Sequence, residues 1–267
     1  MRAYVINLAR SFDRRAHITA ELEKAGLEYE IITAVDGQDL DLGDPAVIDP
    51  SFATRIVFPA GSAGAALSHL SAYRKIIDDG LDAALVIEDD VMLPAGLGSL
   101  ADAVAGQLSG AEVALLSVDS PEPCRMSREG SVTLPSRRLL ALPVDVSQPR
   151  SAGAYVVTRE ACERMVKCLL PIRVQADMWW SFYREGLLDR VRCVLPPPVE
   201  KDPKFISTIG SYSLRDGARA RLADPIMRAK IPVLHQALAY RRRRIYRQWS
   251  RTELVDEPFV EKPSRLE

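Results

Sequence analysis

The chain has 267 residues, 47% of them hydrophobic, enough to bury the core of one large domain or of one domain with a small appendage. Its 35 Lys and Arg balance 36 Asp and Glu, so the net charge of −1 gives no basis for a nucleic-acid coat or an acidic tail. Cys124, Cys162, Cys168 and Cys193 lack the paired spacing of a zinc site and are too few for a disulfide framework. The amino terminus does not read as a signal peptide, and no run of about 18 apolar residues occurs, so a reducing, cytoplasmic setting without a membrane span is expected.

Ala3 to Leu8 reads as a buried strand. A polar turn then leads to a helix with Ile18, Leu22 and Ala25 at helical spacing, closed by Gly26, and Tyr29 to Ala34 reads as a second strand. This strand–helix–strand opening predicts a parallel sheet with helices on its faces. Residues 35–59 read as a loop with room for one short helix. From Ala63 to about Asp79, the residues Leu67, Leu70, Tyr73, Ile76 and Ile77 predict a helix that feeds through Gly80 into the next strand.

That strand, Ala83-Ala84-Leu85-Val86-Ile87, ends in Glu88-Asp89-Asp90. A buried strand carries such charges only where it leaves the sheet, and three adjacent carboxylates repel one another unless a cation sits among them. Alternation along the strand sends Glu88 and Asp90 one way and Asp89 the other, which suits a hard divalent ion on one face. The competing reading is a solvated acidic turn.

A helix over Leu97 to Leu108 and a strand over Val113 to Val118 continue the alternation. Residues 119–149 are rich in Pro, Ser and Arg and predict an excursion with short hairpins that covers a cleft. Gly153 to Val157 is strand-like, and Thr158 is the expected N-cap of a helix over Arg159 to Leu169. A helix from Asp177 to Glu185 and a strand from Val191 to Leu195 follow, with Val199 to Tyr212 irregular. From Arg215 to Arg251 there are eleven Arg or Lys against Asp216 and Asp224. Leu234, Leu238, Ile245 and Trp249 fall on one helical face beside Arg241 to Arg244 and Arg247. Such a helix either covers the core or lies on an anionic membrane surface.

Several segments resemble glycosyltransferase family 25, the lipooligosaccharide-type galactosyl- and glucosyltransferases. The segment Tyr4-Val5-Ile6-Asn7-Leu8-Ala9-Arg10-Ser11 with Arg14-Arg15 resembles its first strand and turn, and Ala34-Val35-Asp36-Gly37 its next landmark. Gly61 to His69 resembles its helix ending in Leu-Ser-His, and Val86 to Asp90 its acidic motif. Gly153-Ala154-Tyr155, Asp177, Pro197-Pro198-Val199-Glu200 and Ser207-Thr208-Ile209-Gly210 follow in the family's order. Where relatives carry Glu-Ile-Gly-Cys, this chain has Ser62-Ala63-Gly64-Ala65, and the basic carboxyl-terminal extension is outside the family pattern.

The resemblance implies an α/β fold of the GT-A type, a mostly parallel Rossmann-like sheet flanked by helices, over residues 1–212; the charge pattern itself makes residues 213–267 a basic helical extension. It implies a UDP-sugar donor, a hexose of the galactose or glucose kind, a lipopolysaccharide-type saccharide acceptor and an inverting reaction. Mn2+ or Mg2+ would be held by Asp90, with Glu88 or Asp89 assisting, and Glu88 would instead meet the ribose or a metal-bound water if it follows the family's first acid. Asn7, Arg10, Arg14 and Asp36 would meet the nucleotide, and His69 the sugar or diphosphate; a hydrogen-bonded structural role is the alternative for His69. Asp177 and Glu200 are the candidate bases, with Asp119 behind them, and Trp179 and Trp180 are either sugar platforms or core. A nucleotidyltransferase-like phosphate enzyme fits the same acidic strand end, and the missing Glu and Cys point to a third function, a non-catalytic module that binds glycans or anchors a complex through its basic helix.

Overall fold

In the computed structural model, residues 1–50, 60–135, 137–205 and 232–259 are described. The chain opens as expected, with β1 (Arg2–Asn7), α1 (Phe12–Ala25) and β2 (Glu28–Thr33). Gly26 ends α1 in the left-handed region at φ 65°, where its N–H caps the carbonyls of Glu23 and Leu22. Then come α2 (Ala60–Asp78), β3 (Ala83–Glu88), the short β4 (Val91–Met92), α3 (Leu97–Ala105) and β5 (Glu112–Leu115). The excursion holds β6 (Cys124–Ser127), β7 (Val132–Thr133) and β8 (Leu139–Ala141). The second half runs through β9 (Ala154–Thr158), α4 (Arg159–Cys168), α5 (Trp179–Arg184), β10 (Arg190–Leu195) and β11 (Glu200–Lys201). It ends in α6 (Pro232–Trp249) and β12 (Thr252–Val255). Thr158 caps α4 as its sequence position implied, accepting from the N–H of Ala161.

Eight strands form one sheet in the order β2-β1-β3-β9-β5-β10-β8-β7. The strands β1, β2, β3, β5 and β10 point one way, while β9 runs antiparallel between β3 and β5. The sheet is therefore mostly parallel, an α/β fold with helices on both faces. Alternating side chains divide the core. Tyr4, Ile6, Val86, Val113 and Tyr155 join Leu70, Tyr73, Ile76 and Met165 on one face. Ala3, Val5, Leu85, Ile87 and Val156 join Ile18, Leu22, Leu97 and Val104 on the other. Each fully buried Leu or Ile of these layers contributes about 1.5–3 kcal/mol, so both helical layers are bound firmly to the sheet.

One expectation changes and one open alternative closes. The excursion is not a flap: β7 and β8 extend the sheet edge beyond β10, and β6 pairs in parallel with β12. Trp179 is fully buried, donates Nε1–H to the Ser151 carbonyl at 2.9 Å and packs edge-on to Tyr155, so it belongs to the core and is no sugar platform. Of the resemblance segments, Ser207 to Gly210 lie outside the described residues. Among the described residues, no helix is long and apolar enough to cross a membrane.

Candidate active site

Open sheets bind ligands beyond the carboxyl ends of their strands, and here those ends frame a cleft of about 330 Å3. The β1–β3 register pairs Ile6 with Glu88, which sets Asn7 beside the acidic turn. The three acids then take different environments. Asp89 is 6% exposed and spends both oxygens on protein, accepting from Asn7 Nδ2 at 2.7 Å and from Arg14 Nη1 at 2.6 Å. Asp90 faces the second guanidinium nitrogen at 3.4 Å through Oδ2, while its buried Oδ1 has no hydrogen-bond partner. Glu88 lines the cleft and meets His69 Nε2 at 3.5 Å.

Electrostatics follow these contacts. Burial raises the Asp90 carboxyl above its ordinary pKa, against Arg14, and the neighbouring Glu88 charge adds to the rise. Burial also raises Asp89, against Arg14 and Asn7. Glu88 goes the other way, because His69, Lys201 and Arg14 outweigh its burial and lower its pKa.

His69 is held from behind: Nδ1 contacts the Tyr155 hydroxyl at 2.7 Å, and that hydroxyl donates to Tyr73 at 3.0 Å. Thus the Leu-Ser-His helix and the Gly-Ala-Tyr strand meet beneath Glu88. His69 is 2% exposed, so its reach to the cleft runs through that carboxylate. One residue earlier, Ser68 Oγ accepts from the Val35 N–H at 2.9 Å and donates to the Gly64 carbonyl. Asp36 caps the short 3-10 turn Gly37–Asp39 and pairs with Arg10 on the cleft wall.

The turn and α2 touch through glycine. A Cβ on Gly64 would lie 2.6 Å from the Val35 carbonyl oxygen and 2.7 Å from the Gly37 nitrogen, both backbone. Gly64→Ala is therefore expected to destabilise by about 1–3 kcal/mol, although alanine in a helix interior alone would gain about 1. Urea denaturation reads the sign, and a stabilised variant would contradict this packing.

The second half of the chain closes the site. Pairing of β4 with β11 aligns Lys201 with Val91, one residue from the acidic turn, and Asp202 N–H donates to the Asp90 carbonyl at 2.7 Å. Lys201 Nζ bonds Asp119 at 3.0 Å; burial opposes its charge, but Asp119, Asp90 and Glu88 outweigh that and raise its pKa. Asp177 is raised by burial and by the charge of Glu88, with Lys201 and Arg150 opposing, which sets this carboxyl within the field of the cleft floor. Glu200 instead lines a small adjoining cavity with Asp119, Ser117, Ser151, Lys201 and Tyr246.

Among the described residues, no three His, Cys, Asp or Glu side chains form a ready-made metal cage. The donors present nevertheless fit a hard cation: Asp90 Oδ1 is buried and unbonded, and Glu88 lies on the same wall. Mg2+-like ions are commonly held by one or two carboxylates plus phosphate oxygens, so a two-carboxylate set suffices. Residues 1–180 match the model of "Glycosyltransferase family 25 (LPS biosynthesis protein)". The chain belongs to glycosyltransferase family 25.

The procollagen galactosyltransferase 1 of Danio rerio is 35% identical over 97 residues, 33% of this chain and 16% of that protein. Procollagen galactosyltransferase 2 of Homo sapiens is 35% identical over 97 residues, 33% and 15% of the two chains. The match thus spans about a sixth of the length of these curated relatives. A solved Drosophila β-1,4-galactosyltransferase 7 mutant, in complex with manganese, UDP-Gal and xylobiose, overlaps 61% of this chain and 51% of its own at 13% identity and TM-score 0.29. No residue is carried across at that score. The family 25 match takes in all of the acidic turn, Arg14, His69 and Asp177, whereas Glu200, Lys201 and Tyr246 lie past it.

Sequence reasoning missed Lys201 and Tyr246. Lys201 directly follows the recognised Pro-Pro-Val-Glu segment, but its approach to Asp90 depends on a strand pairing between distant parts of the chain.

Proposed function

We propose that this chain is a metal-dependent hexosyltransferase that moves galactose or glucose from a UDP-sugar onto a saccharide acceptor of the lipopolysaccharide or lipooligosaccharide kind, with inversion. The observation that carries the reading is the cleft floor at the end of β3. There one buried carboxylate oxygen of Asp90 is unbonded while Arg14 and Lys201 stand beside it. Glu88 and Asp90 would hold Mn2+ or Mg2+, which when bound supplies a Lewis acid for the departing diphosphate. The relatives are procollagen galactosyltransferases, which supports the hexose, although they are much longer proteins.

The chain's own groups account for the rest. Arg10 and residues 34–38, Asp36 among them, line the part of the cleft assigned to the nucleoside. Arg14 and Lys201 supply positive charge for the diphosphate, and Asp89 with Asn7 fixes Arg14 in place. Asp177 is the proposed base: its raised pKa makes it a better proton acceptor from an acceptor hydroxyl than an ordinary carboxylate. Asp177→Asn is expected to lower turnover by about 10²-fold with UDP binding preserved, as followed by UDP release and calorimetry. Unchanged turnover would pass the role to Glu200. The reading as a whole is tested by UDP release from UDP-galactose and UDP-glucose with Mn2+ and a lipooligosaccharide acceptor, and neither binding nor turnover of any UDP-hexose would refute it.

We further propose that the basic helix rests on an anionic membrane surface. Helix α6 turns Arg243, Arg244 and Arg247 outward around a groove of about 270 Å3, completed by Arg251, Gln248 and the 75% exposed Tyr240. Each basic residue near an anionic leaflet contributes about 1 kcal/mol. Sedimentation with phosphatidylglycerol vesicles at low salt, lost at high salt and in Arg243→Glu/Arg247→Glu, is the expected result. Vesicles of phosphatidylcholine should not bind.

A further inference from the structure

The inward face of α6 carries a different message from its arginines. The helix is tied down at its carboxyl end: Ser120 N–H donates to the Trp249 carbonyl, Cys124 N–H to that of Arg251, and β12 then pairs along β6. Nearer the cleft, Arg242 Nη1 donates to the Phe205 carbonyl at 3.2 Å, and the Phe205 ring lies under the Arg14 guanidinium at 5.4 Å. One helical turn after Arg242, Tyr246 lines both the main cleft and the small cavity that holds Asp119 and Glu200. It therefore stands at the junction of the two.

Sheet order says which part of a donor meets this junction. The turn at residues 34–38 follows β2, and the acidic turn follows β3, two strands away, or about 10 Å. A nucleoside over the β2 end and a diphosphate over Asp90 leave the sugar beyond β3, on the side where β11 and α6 bring Lys201 and Tyr246. A phenol suits that position, because its ring offers an apolar face to a pyranose and its hydroxyl can donate to or accept from a sugar hydroxyl. Burial, with Asp90 and Asp119 nearby, raises the Tyr246 pKa against Lys201 and Arg242, so the hydroxyl keeps its proton at neutral pH.

We infer that Tyr246, supplied by the carboxyl-terminal helix from beyond the family-matched residues, contacts the transferred hexose and positions it between the diphosphate and the small cavity of Asp119 and Glu200. This rests on the donor reading proposed above.

The test is calorimetric titration of UDP and of the UDP-hexose, each with Mn2+, into wild type, Tyr246→Phe and Tyr246→Ala, together with kcat and KM for transfer. UDP affinity should stay within about twofold in both variants. UDP-hexose affinity and kcat/KM should fall about 3- to 10-fold in Tyr246→Phe, the loss of one hydrogen bond, and further in Tyr246→Ala. Tyr246→Phe keeps the packed ring, so it reads the hydroxyl even if Tyr246→Ala loosens the helix. Equal weakening of UDP and UDP-hexose, or unchanged values for UDP-hexose in both variants, would overturn the inference. Wild type that binds UDP but no UDP-hexose would overturn the donor reading itself, and this inference with it.

Discussion

Replacing Asp90 with asparagine should remove about 10³-fold of UDP-hexose turnover, roughly 4 kcal/mol, and yet leave the metal-free protein at least as stable as wild type at pH 7. The two halves come from one fact. Asp90 is buried with Oδ1 unbonded, and its charge is answered by Arg14 at 3.4 Å and by the nearby Lys201, which together do not offset its burial. Its pKa is raised above the unfolded value, so the stability it contributes is full below the ordinary carboxylate range and is lost as pH rises through the raised value. At neutral pH the ionised carboxylate is therefore a burden on the fold that asparagine lifts. The stability gap should close toward about pH 4, where the wild-type acid is protonated. Melting curves in EDTA across this range give the comparison, and manganese titration followed by electron paramagnetic resonance should show binding lost in the variant. A variant melting well below wild type at pH 7 would make Asp90 a structural residue.

Asp89 was the hardest acid to place from sequence, since three adjacent carboxylates carry no label. Strand alternation separated Glu88 and Asp90 from Asp89, but β3 ends at Glu88 and the next two residues turn. What divides them is partners: Asn7 and Arg14 claim Asp89, and neither pairing is visible without the β1–β3 register. The layered α/β architecture was legible because its strands and helices differ in period and carry clear punctuation at Gly26, Gly80 and Thr158. The reversed direction of β9 was not, because a strand buried on both faces has the same apolar composition whichever way it runs. For similar reasons the motifs at Ser68-His69 and Gly153 to Tyr155 read as separate landmarks, although they form one hydrogen-bonded support beneath Glu88.

Arg14 should be the residue whose loss most weakens the fold at this site. Arg14→Met is expected to destabilise by about 3–5 kcal/mol at pH 7, because it strips a buried carboxylate of its partner rather than removing a surface pair. The guanidinium spans two acids, Asp89 at 2.6 Å and Asp90 at 3.4 Å, with its side chain only 12% exposed. Lysine offers a compact ammonium without the planar fork, so Arg14→Lys should recover part of the loss and not all of it. Since the penalty falls on ionised Asp89 and Asp90, it should shrink as pH falls toward about 4 and both acids take up protons. The double variant Arg14→Met/Asp89→Asn should be more stable than Arg14→Met alone, a non-additivity that a purely steric role for Arg14 would not produce. Urea denaturation of wild type, Arg14→Met, Asp89→Asn and the double variant closes the cycle. If the double variant is simply the sum of its parts, the Arg14–Asp89 pair is not what anchors the acidic turn, and the cleft floor must owe its shape to the β4–β11 ladder and the Asp202-to-Asp90 backbone bond instead.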